Sequence, residues 1–188
     1  MLTPIASRGT ISRTVRKVFL VIVALGVVAT ATAAADPPKV LVGRSIGAVR
    51  LGMTDAAVTT VYGSPKRTTR WRLDGRTGPV AGYDSPGGML LVSFDAGRVV
   101  AVETTSPRYR LAGAVGIGTI TPTRPNEFSF SWRGFRYDAC GGAYKRRAYN
   151  AVTELVLPFA ATTGRRVVAI AIADARHELL LPSAARCD

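Results

Sequence analysis

The strongest alternation of apolar and polar residues lies between residues 89 and 105, and it predicts a β-hairpin. Residues 89–94 form the first predicted strand, residues 95–98 the turn and residues 99–105 the second strand. One face carries the apolar side chains of Leu90, Val92, Phe94, Val100 and Val102. The other face carries Leu91, Ser93, Ala101 and Glu103. We therefore expect an antiparallel sheet that is covered by a helix on one side and largely solvated on the other.

A short helix is predicted upstream of this hairpin, over residues 54–62. Thr54 can accept hydrogen bonds from the free amides of the first turn, and Asp55 is favourable at the positive end of the helix dipole. Gly63 and Pro65 end the helix. The residues at helical spacing that we expect to face the core are Ala57, Val58, Val61 and Tyr62.

Most of the remaining pattern predicts strands. In residues 68–73, one face carries Thr69, Trp71 and Leu73, and the face expected in solvent carries Thr68, Arg70 and Arg72. Further strands are predicted over residues 80–83, 128–132, 135–137, 153–159 and 166–173. Residues 167–173 include no polar side chain, which indicates a central strand or one buried on both faces.

A glycine-rich stretch, residues 112–118, separates two halves of the chain. Residues 45–111 and 112–188 look like a diverged duplication, because each half finishes in a hairpin with a glycine-arginine turn, at Gly97-Arg98 and Gly164-Arg165. We predict one α+β domain over residues 36–188. It would have a short N-terminal helix packed on an antiparallel sheet and a mostly β second half.

The first 35 residues have the pattern of a secretory signal peptide. Basic residues precede an apolar run of about eleven residues, and Ala33-Ala34-Ala35 forms a small-residue cleavage site. The run is shorter than the roughly 20 residues that span a bilayer. The alternative is an uncleaved anchor prolonged by residues 29–35. Because no cysteine lies near Ala35, we expect a secreted, periplasmic or envelope protein that is not a lipoprotein.

The composition is strongly basic, with 25 Lys and Arg against 12 Asp and Glu and a formal net charge of +13. Two basic groups stand out as a candidate surface, Lys66, Arg67, Arg70 and Arg72 in the first half and Lys145, Arg146 and Arg147 in the second. Such charge attracts anionic lipids, acidic envelope polymers or acidic proteins. Solvated strand faces and a compositional excess of arginine are the alternative explanations. Nucleic acid is not expected as a partner, because an exported protein rarely meets it.

The chain has two cysteines, Cys140 and Cys187. In an oxidising compartment we expect them to form the one disulfide, which would tie the C-terminal tail to the second half. Its loop would stabilise the fold by roughly 4 kcal/mol if the bridge is unstrained. Two free thiols, or a catalytic Cys140, are the alternatives. A catalytic cysteine would have a single candidate base, because His177 is the only histidine.

The residues that could support catalysis are few. His177 lies near Asp174 and Glu178 in sequence, which suggests a metal or acid–base site, with a polar tail as the simpler interpretation. None of the sequence motifs of serine hydrolases or zinc proteases occurs. We therefore predict no catalytic residue, no metal and no cofactor, and we expect a protein that is not an enzyme.

One segment resembles a known family. Residues 45–54, followed by Ala57-Val58 and closed by residues 62–65, resemble the opening of SmpA/OmlA (BamE-type) modules, which share the β-lactamase-inhibitor-protein-like fold. The resemblance implies a module that binds another exported or envelope protein, although the chain lacks the lipoprotein cysteine of one branch. We expect a non-enzymatic protein-binding module. An electrostatic binder of anionic envelope polymer or lipid is the alternative, and a hydrolase comes third.

Overall fold

The structure, a computed structural model, describes residues 39–122, 131–138, 142–158 and 165–184. All of these residues belong to one compact unit. The predicted signal peptide, Cys140 and Cys187 lie outside the described residues, as do Phe128 and the turn at Gly164.

The described residues form twelve strands, one α-helix and two 3₁₀ helices. The first elements are β1 (Val40–Leu41), β2 (Ser45–Ile46), β3 (Val49–Arg50) and the helix α1 (Asp55–Tyr62). The next four are β4 (Arg67–Leu73), β5 (Arg76–Ser85), β6 (Gly88–Asp95) and β7 (Arg98–Thr104). The last five are β8 (Ser131–Trp132), β9 (Phe135–Asp138), β10 (Ala143–Ala148), β11 (Ala151–Val156) and β12 (Ala169–Asp174). The 3₁₀ helices are Ala112–Ala114 and Ala175–Leu180.

Nine strands form one antiparallel sheet, in the order β4-β5-β6-β7-β12-β11-β10-β9-β8. Strands β4 to β7 make one meander and β8 to β12 a second, and the last strands of the two meanders pair with each other. In this central pair Glu103 lies opposite Ala171. Five of the six residues of β12 are buried, which confirms the central strand predicted from its apolar run. Strands β1, β2 and β3 form a separate small sheet.

The predicted hairpin is confirmed as β6 and β7, with one irregularity in its register. Val92 lies opposite Val102 as the alternation requires, but the register shifts between Ser93 and Phe94. As a result, Phe94 lies opposite Val99 and not in line with Val100. Val99 and Val100 are both buried. The β-bulge therefore places one more apolar residue in the protein interior than the alternation predicts.

The main core lies on one face of the large sheet. The hairpin contributes Leu90, Val92 and Phe94, which are 1% exposed or less. The small sheet and the helix pack on this face through buried residues that belong to the same cluster, namely Val40, Ile46, Val49 and Val58.

The helix begins and ends where its sequence predicts. The hydroxyl of Thr54 accepts a hydrogen bond from the amide of Ala57 at 3.3 Å, and Gly63 follows the last turn with a positive φ of 76°. Val58 is fully buried, but Val61 is 50% exposed, so its predicted core position is wrong. A two-turn helix lying on a sheet buries a narrow stripe, and that stripe includes Val58 and Tyr62.

The fold is mainly β, so the predicted α+β class is wrong. The eight residues of α1 are the only α-helix in the part of the chain that the structure describes. Instead of further helices, short strands and irregular segments cover the sheet, such as the connection that carries the buried Leu111 and Val115. A strand of two residues is too short to show an alternation of apolar and polar positions. The sequence therefore does not predict these strands, and it overstates the share of helix in the fold.

Residues 175–184, called the C-terminal segment below, cover part of the second face of the large sheet. Leu181 of this segment is 1% exposed and packs against Ala101, Val152, Ala171 and Ala173. The carboxylate of Glu154 is completely buried and accepts hydrogen bonds from the amide of Ser183, at 3.0 Å, and from its hydroxyl. These contacts hold the segment on the sheet, so the expected solvation of this face is wrong here.

Candidate functional site

A cavity of about 240 Å³ lies between the second face of the sheet and the C-terminal segment. Its lining includes three small side chains of the sheet, Ser93, Ala101 and Ala171. Ser93 and Ala101 lie opposite each other on neighbouring strands. Leu181 lines the cavity from the C-terminal segment. The cavity exists because side chains as short as serine and alanine leave the space under the segment unfilled.

Trp71 lines the cavity from β4, and its indole ring is held in place by the neighbouring strands. The indole Nε1 donates a hydrogen bond to the carbonyl oxygen of Phe94 at 2.9 Å, two strands away. Gly78, which lies opposite Trp71 on β5, makes this reach possible. A Cβ at Gly78 would lie 2.5 and 2.6 Å from two atoms of the indole, so a larger residue would displace the ring.

Glu103 is the one acidic residue among those that line the cavity. Burial raises the pKa of its carboxyl group, and the negative charge of Glu154 raises this pKa further. Within the described part of the chain, no hydrogen bond or ion pair reaches this carboxyl group. Arg70 also lines the cavity, but its Nε donates a hydrogen bond to the hydroxyl of Thr77 at 3.3 Å.

Glu154 occupies a matching place in the sheet but is satisfied by the protein itself. Ala171 lies between the two acids, opposite Glu103 on one side and opposite Glu154 on the other. Burial raises the pKa of Glu154, while the hydrogen bonds from Ser183 and the charge of Lys145 oppose the shift. Glu154 therefore fixes the C-terminal segment, whereas the Glu103 carboxyl remains open to the cavity.

His177 is buried, although it lies in the segment that the sequence suggests is a polar tail. Its ring is 3% exposed, and its Nε2 lies 3.2 Å from an Oδ2 of Asp95. Its Nδ1 lies 3.8 Å from Asp174, and its ring packs edge-on against Trp71 with centroids 6.2 Å apart. Glu178 turns away from His177 to pair with Lys145 and Arg147. His177 therefore connects the C-terminal segment to β4 and β6.

Asp174, the last residue of β12, is the N-cap of the 3₁₀ helix that begins the C-terminal segment. Partial burial alone would raise the pKa of its carboxyl group. Hydrogen bonds from the side chain and amide of Arg176, together with electrostatic attraction from Arg176 and His177, outweigh burial and lower this pKa. Within the described ranges no group of three His, Cys, Asp or Glu residues could hold a metal ion.

The first basic group lies at and beside β4, the strand at one edge of the large sheet. Lys66, Arg67, Arg70 and Arg72 are all exposed, and Thr68 is exposed as well. This confirms the prediction that the face with Arg70 and Arg72 is in solvent, and Trp71 on the opposite face is buried. No ion pair joins these four basic residues to a carboxylate elsewhere in the described ranges. The guanidinium group of Arg67 contacts the sulfur of Met89.

The second basic group lies on β10, six strands away from β4 in the sheet, and is largely neutralised. The Nζ of Lys145 lies 2.8 Å from a carboxylate oxygen of Asp138 and 3.8 Å from one of Glu178. Arg147 pairs with Glu178. Arg146 is exposed and lies beside Gly134. The two predicted basic groups are thus separate surfaces. Only the first is a stripe without carboxylate partners among the described residues, with Arg67 on one face of β4 and Arg70 and Arg72 on the other.

The sequence did not single out the cavity or Glu103. Glu103 stood out only as one polar residue on a predicted solvated face. The alternation of β7 places Glu103 on the second face of the sheet, as the structure does. No sequence pattern near Glu103 indicates that residues 180–182 cover that face. The predicted disulfide between Cys140 and Cys187 lies outside the described residues and stays a prediction.

Comparison with known proteins finds similarity in structure alone. No protein-family model matches the chain, and no curated protein matches it. A cysteine-rich secretory protein from Staphylococcus aureus subsp. aureus Mu50 has a similar structure, with a TM-score of 0.46 and 15% identity over 68% of this chain and 46% of that one. An extracellular protein containing an SCP domain from Bacillus anthracis str. Ames has a TM-score of 0.49 and 13% identity over 69% and 45%.

A third structure, the uncharacterized protein yfeY from Escherichia coli, has a TM-score of 0.43 and 12% identity, covering 70% of this chain and 95% of that one. The chain spans less than half the length of the first two proteins, which are described as secretory and extracellular. None of these similarities indicates a function for this chain. In the ranges that the structure describes, no helix has the length and apolarity to cross a membrane.

Proposed function

We propose that this chain is an exported binding module without catalytic activity, and that it recognises an acidic, extended segment of a partner protein along the edge of β4. The observation that carries the proposal is a seven-residue edge strand beside which four basic side chains have no carboxylate partner among the described residues.

An edge strand offers unpaired amide and carbonyl groups to another extended chain. β4 pairs with β5 on one side, and most of its residues are exposed. The basic side chains of Arg67, Arg70 and Arg72 would repel the same edge of a second copy of the chain. They would attract an acidic strand, which would gain both backbone hydrogen bonds and ion pairs.

Export is part of the proposal. The signal-peptide pattern that ends near Ala35, without a lipoprotein cysteine beside it, supports a secreted or periplasmic protein. The partner would then be another exported or envelope protein. The resemblance of residues 45–65 to SmpA/OmlA modules supports a role in protein binding. Anionic envelope polymers would be attracted by the same basic stripe and are the competing outcome of the test.

The test uses a short peptide of alternating Glu and Val as the acidic strand, and inorganic polyphosphate as the polymer. Amide hydrogen exchange on β4 separates the two, because an added strand forms backbone hydrogen bonds and a polymer held by charge does not. We expect slower exchange on alternate amides of β4 with the peptide and no such protection with polyphosphate.

Charge reversal at Arg72 provides the matched comparison. Arg72→Glu should weaken peptide binding several-fold, whereas Arg146→Glu, an equal charge change on the other half of the sheet, should have little effect. Equal effects of the two variants, or tight polyphosphate binding without any protection of β4 by the peptide, would overturn strand addition in favour of general charge attraction.

A further inference from the structure

The geometry points to a binding site for a small organic cation, an ammonium group on an apolar body, in the cavity between Trp71, Glu103 and the C-terminal segment. This inference concerns a different surface from the β4 edge, and it does not rest on the proposed function.

The size of the cavity sets the size of the ligand. A volume of about 240 Å³ corresponds to roughly eight water molecules at their share of liquid volume, or to a compound of roughly ten non-hydrogen atoms. This is smaller than the pockets that take drug-sized molecules. A single aromatic ring or short aliphatic chain with one charged group fits this range.

The chemistry of the lining sets the charge of the ligand. Nine of the twelve residues that line the cavity are apolar, including Trp71, Leu91 and Leu181, and burying an apolar body against them is favourable. Two charged side chains also line the cavity: Arg70, whose Nε donates a hydrogen bond to Thr77, and Glu103, whose carboxyl group has no ion pair or hydrogen bond from the described residues. A partly buried carboxylate is stabilised by a cation that reaches it. An indole ring in the wall also attracts a cation over its face.

Other features of the molecule offer less. The open groove around Arg136, Lys145 and Arg147 has acidic residues that already pair with its basic ones. Glu154 is buried, but it accepts two hydrogen bonds from Ser183. Of the two glutamates that flank Ala171, Glu103 alone has a carboxyl group with room for a ligand beside it.

The test compares 2-phenylethylammonium with 2-phenylethanol, which has the same size and shape but no charge. Calorimetry gives the affinities, and the NMR signal of the Trp71 indole N–H reports whether the probe lies in the cavity. We expect the ammonium to bind about tenfold more tightly than the alcohol, with a shift of the Trp71 signal. Equal affinities, absence of binding by both probes, or a shift confined to Trp132 would refute the site.

Two matched variants locate the charge that is responsible. Glu103→Gln should remove the preference for the ammonium. Asp84→Asn, an equal loss of charge at an exposed residue of β5 that does not line the cavity, should keep it. A preference that survives in Glu103→Gln would overturn the role of Glu103. Ser93→Leu, which fills the cavity from the sheet, should weaken both probes by a similar factor, and this result does not depend on the Glu103 variant being folded.

Discussion

The position of Trp71 depends on the absence of a side chain at Gly78, and the variant Gly78→Ala tests this directly. An added Cβ would lie 2.5 and 2.6 Å from two indole atoms and closer still to the carbonyl oxygen of Phe94. Contacts this short do not persist in folded proteins, so either the indole or the backbone of β6 must move.

The cost can be worked from the contacts that would be lost. Moving the indole breaks the hydrogen bond from Nε1 to Phe94, worth about 0.5–1.5 kcal/mol. Overpacking in a well-packed region costs about 1–3 kcal/mol. We therefore expect Gly78→Ala to lower the free energy of unfolding by about 2–4 kcal/mol. The displaced ring would also leave its edge-on contact with His177.

Urea denaturation followed by tryptophan fluorescence measures both effects, because the midpoint reports stability and the native spectrum reports the environment of the indole. In a Trp71→Ala background, Gly78→Ala should lower the free energy of unfolding by a smaller amount. The loss should not vanish, because the added Cβ still clashes with the carbonyl oxygen of Phe94. A loss below about 0.5 kcal/mol, with an unchanged native spectrum, would show that the indole does not lie across β5.

Three further outcomes are expected. Val58→Ala should lower the free energy of unfolding, measured by urea denaturation, by about 2 kcal/mol because the Val58 side chain is fully buried. Val61→Ala, on the exposed side of the same helix, should change it by less than about 0.5 kcal/mol. Equal losses in the two variants would contradict the orientation of the helix. The pKa of Glu154 is raised in the fold, so the folded state binds a proton more tightly than the unfolded chain, and stability should fall as pH rises from about 4.3 through the raised value. Glu154→Gln should flatten this decline, and an unchanged pH profile would count against it. Non-reducing mass spectrometry should find one peptide linking Cys140 to Cys187, and two free thiols would refute the bridge.

Local rules were enough for the helix and for the central hairpin. Thr54 and Gly63 mark the ends of α1 because capping depends on residues within one turn. The alternation in residues 89–105 identifies β6 and β7 because one face of each strand is strongly apolar. The run that became β12 was recognised as central because both of its faces are apolar.

Features set by distant contacts could not be predicted in this way. The bulge leaves Val100 without a partner where the register shifts between Ser93 and Phe94. It keeps the apolar composition of the hairpin and changes only its register, so the alternation gives no sign of it. Val61 lies at the helical spacing expected of a core residue. The sheet contacts only a narrow stripe of α1, however, and Val61 lies outside that stripe. The α+β class failed for a related reason, since the covering layers are strands of two residues that leave no periodic pattern.

The two surfaces that we propose meet at β4, and the alternation of that strand keeps them separable. Trp71 projects onto the covered second face, where it lines the cavity, whereas Arg72, the next residue, is exposed and does not line it. Arg72→Glu therefore changes the charge of the edge without altering the lining, and Glu103→Gln changes the cavity four strands into the sheet without altering the edge. Because each variant leaves the other surface intact, strand addition can fail while amine binding holds, and the reverse is equally possible.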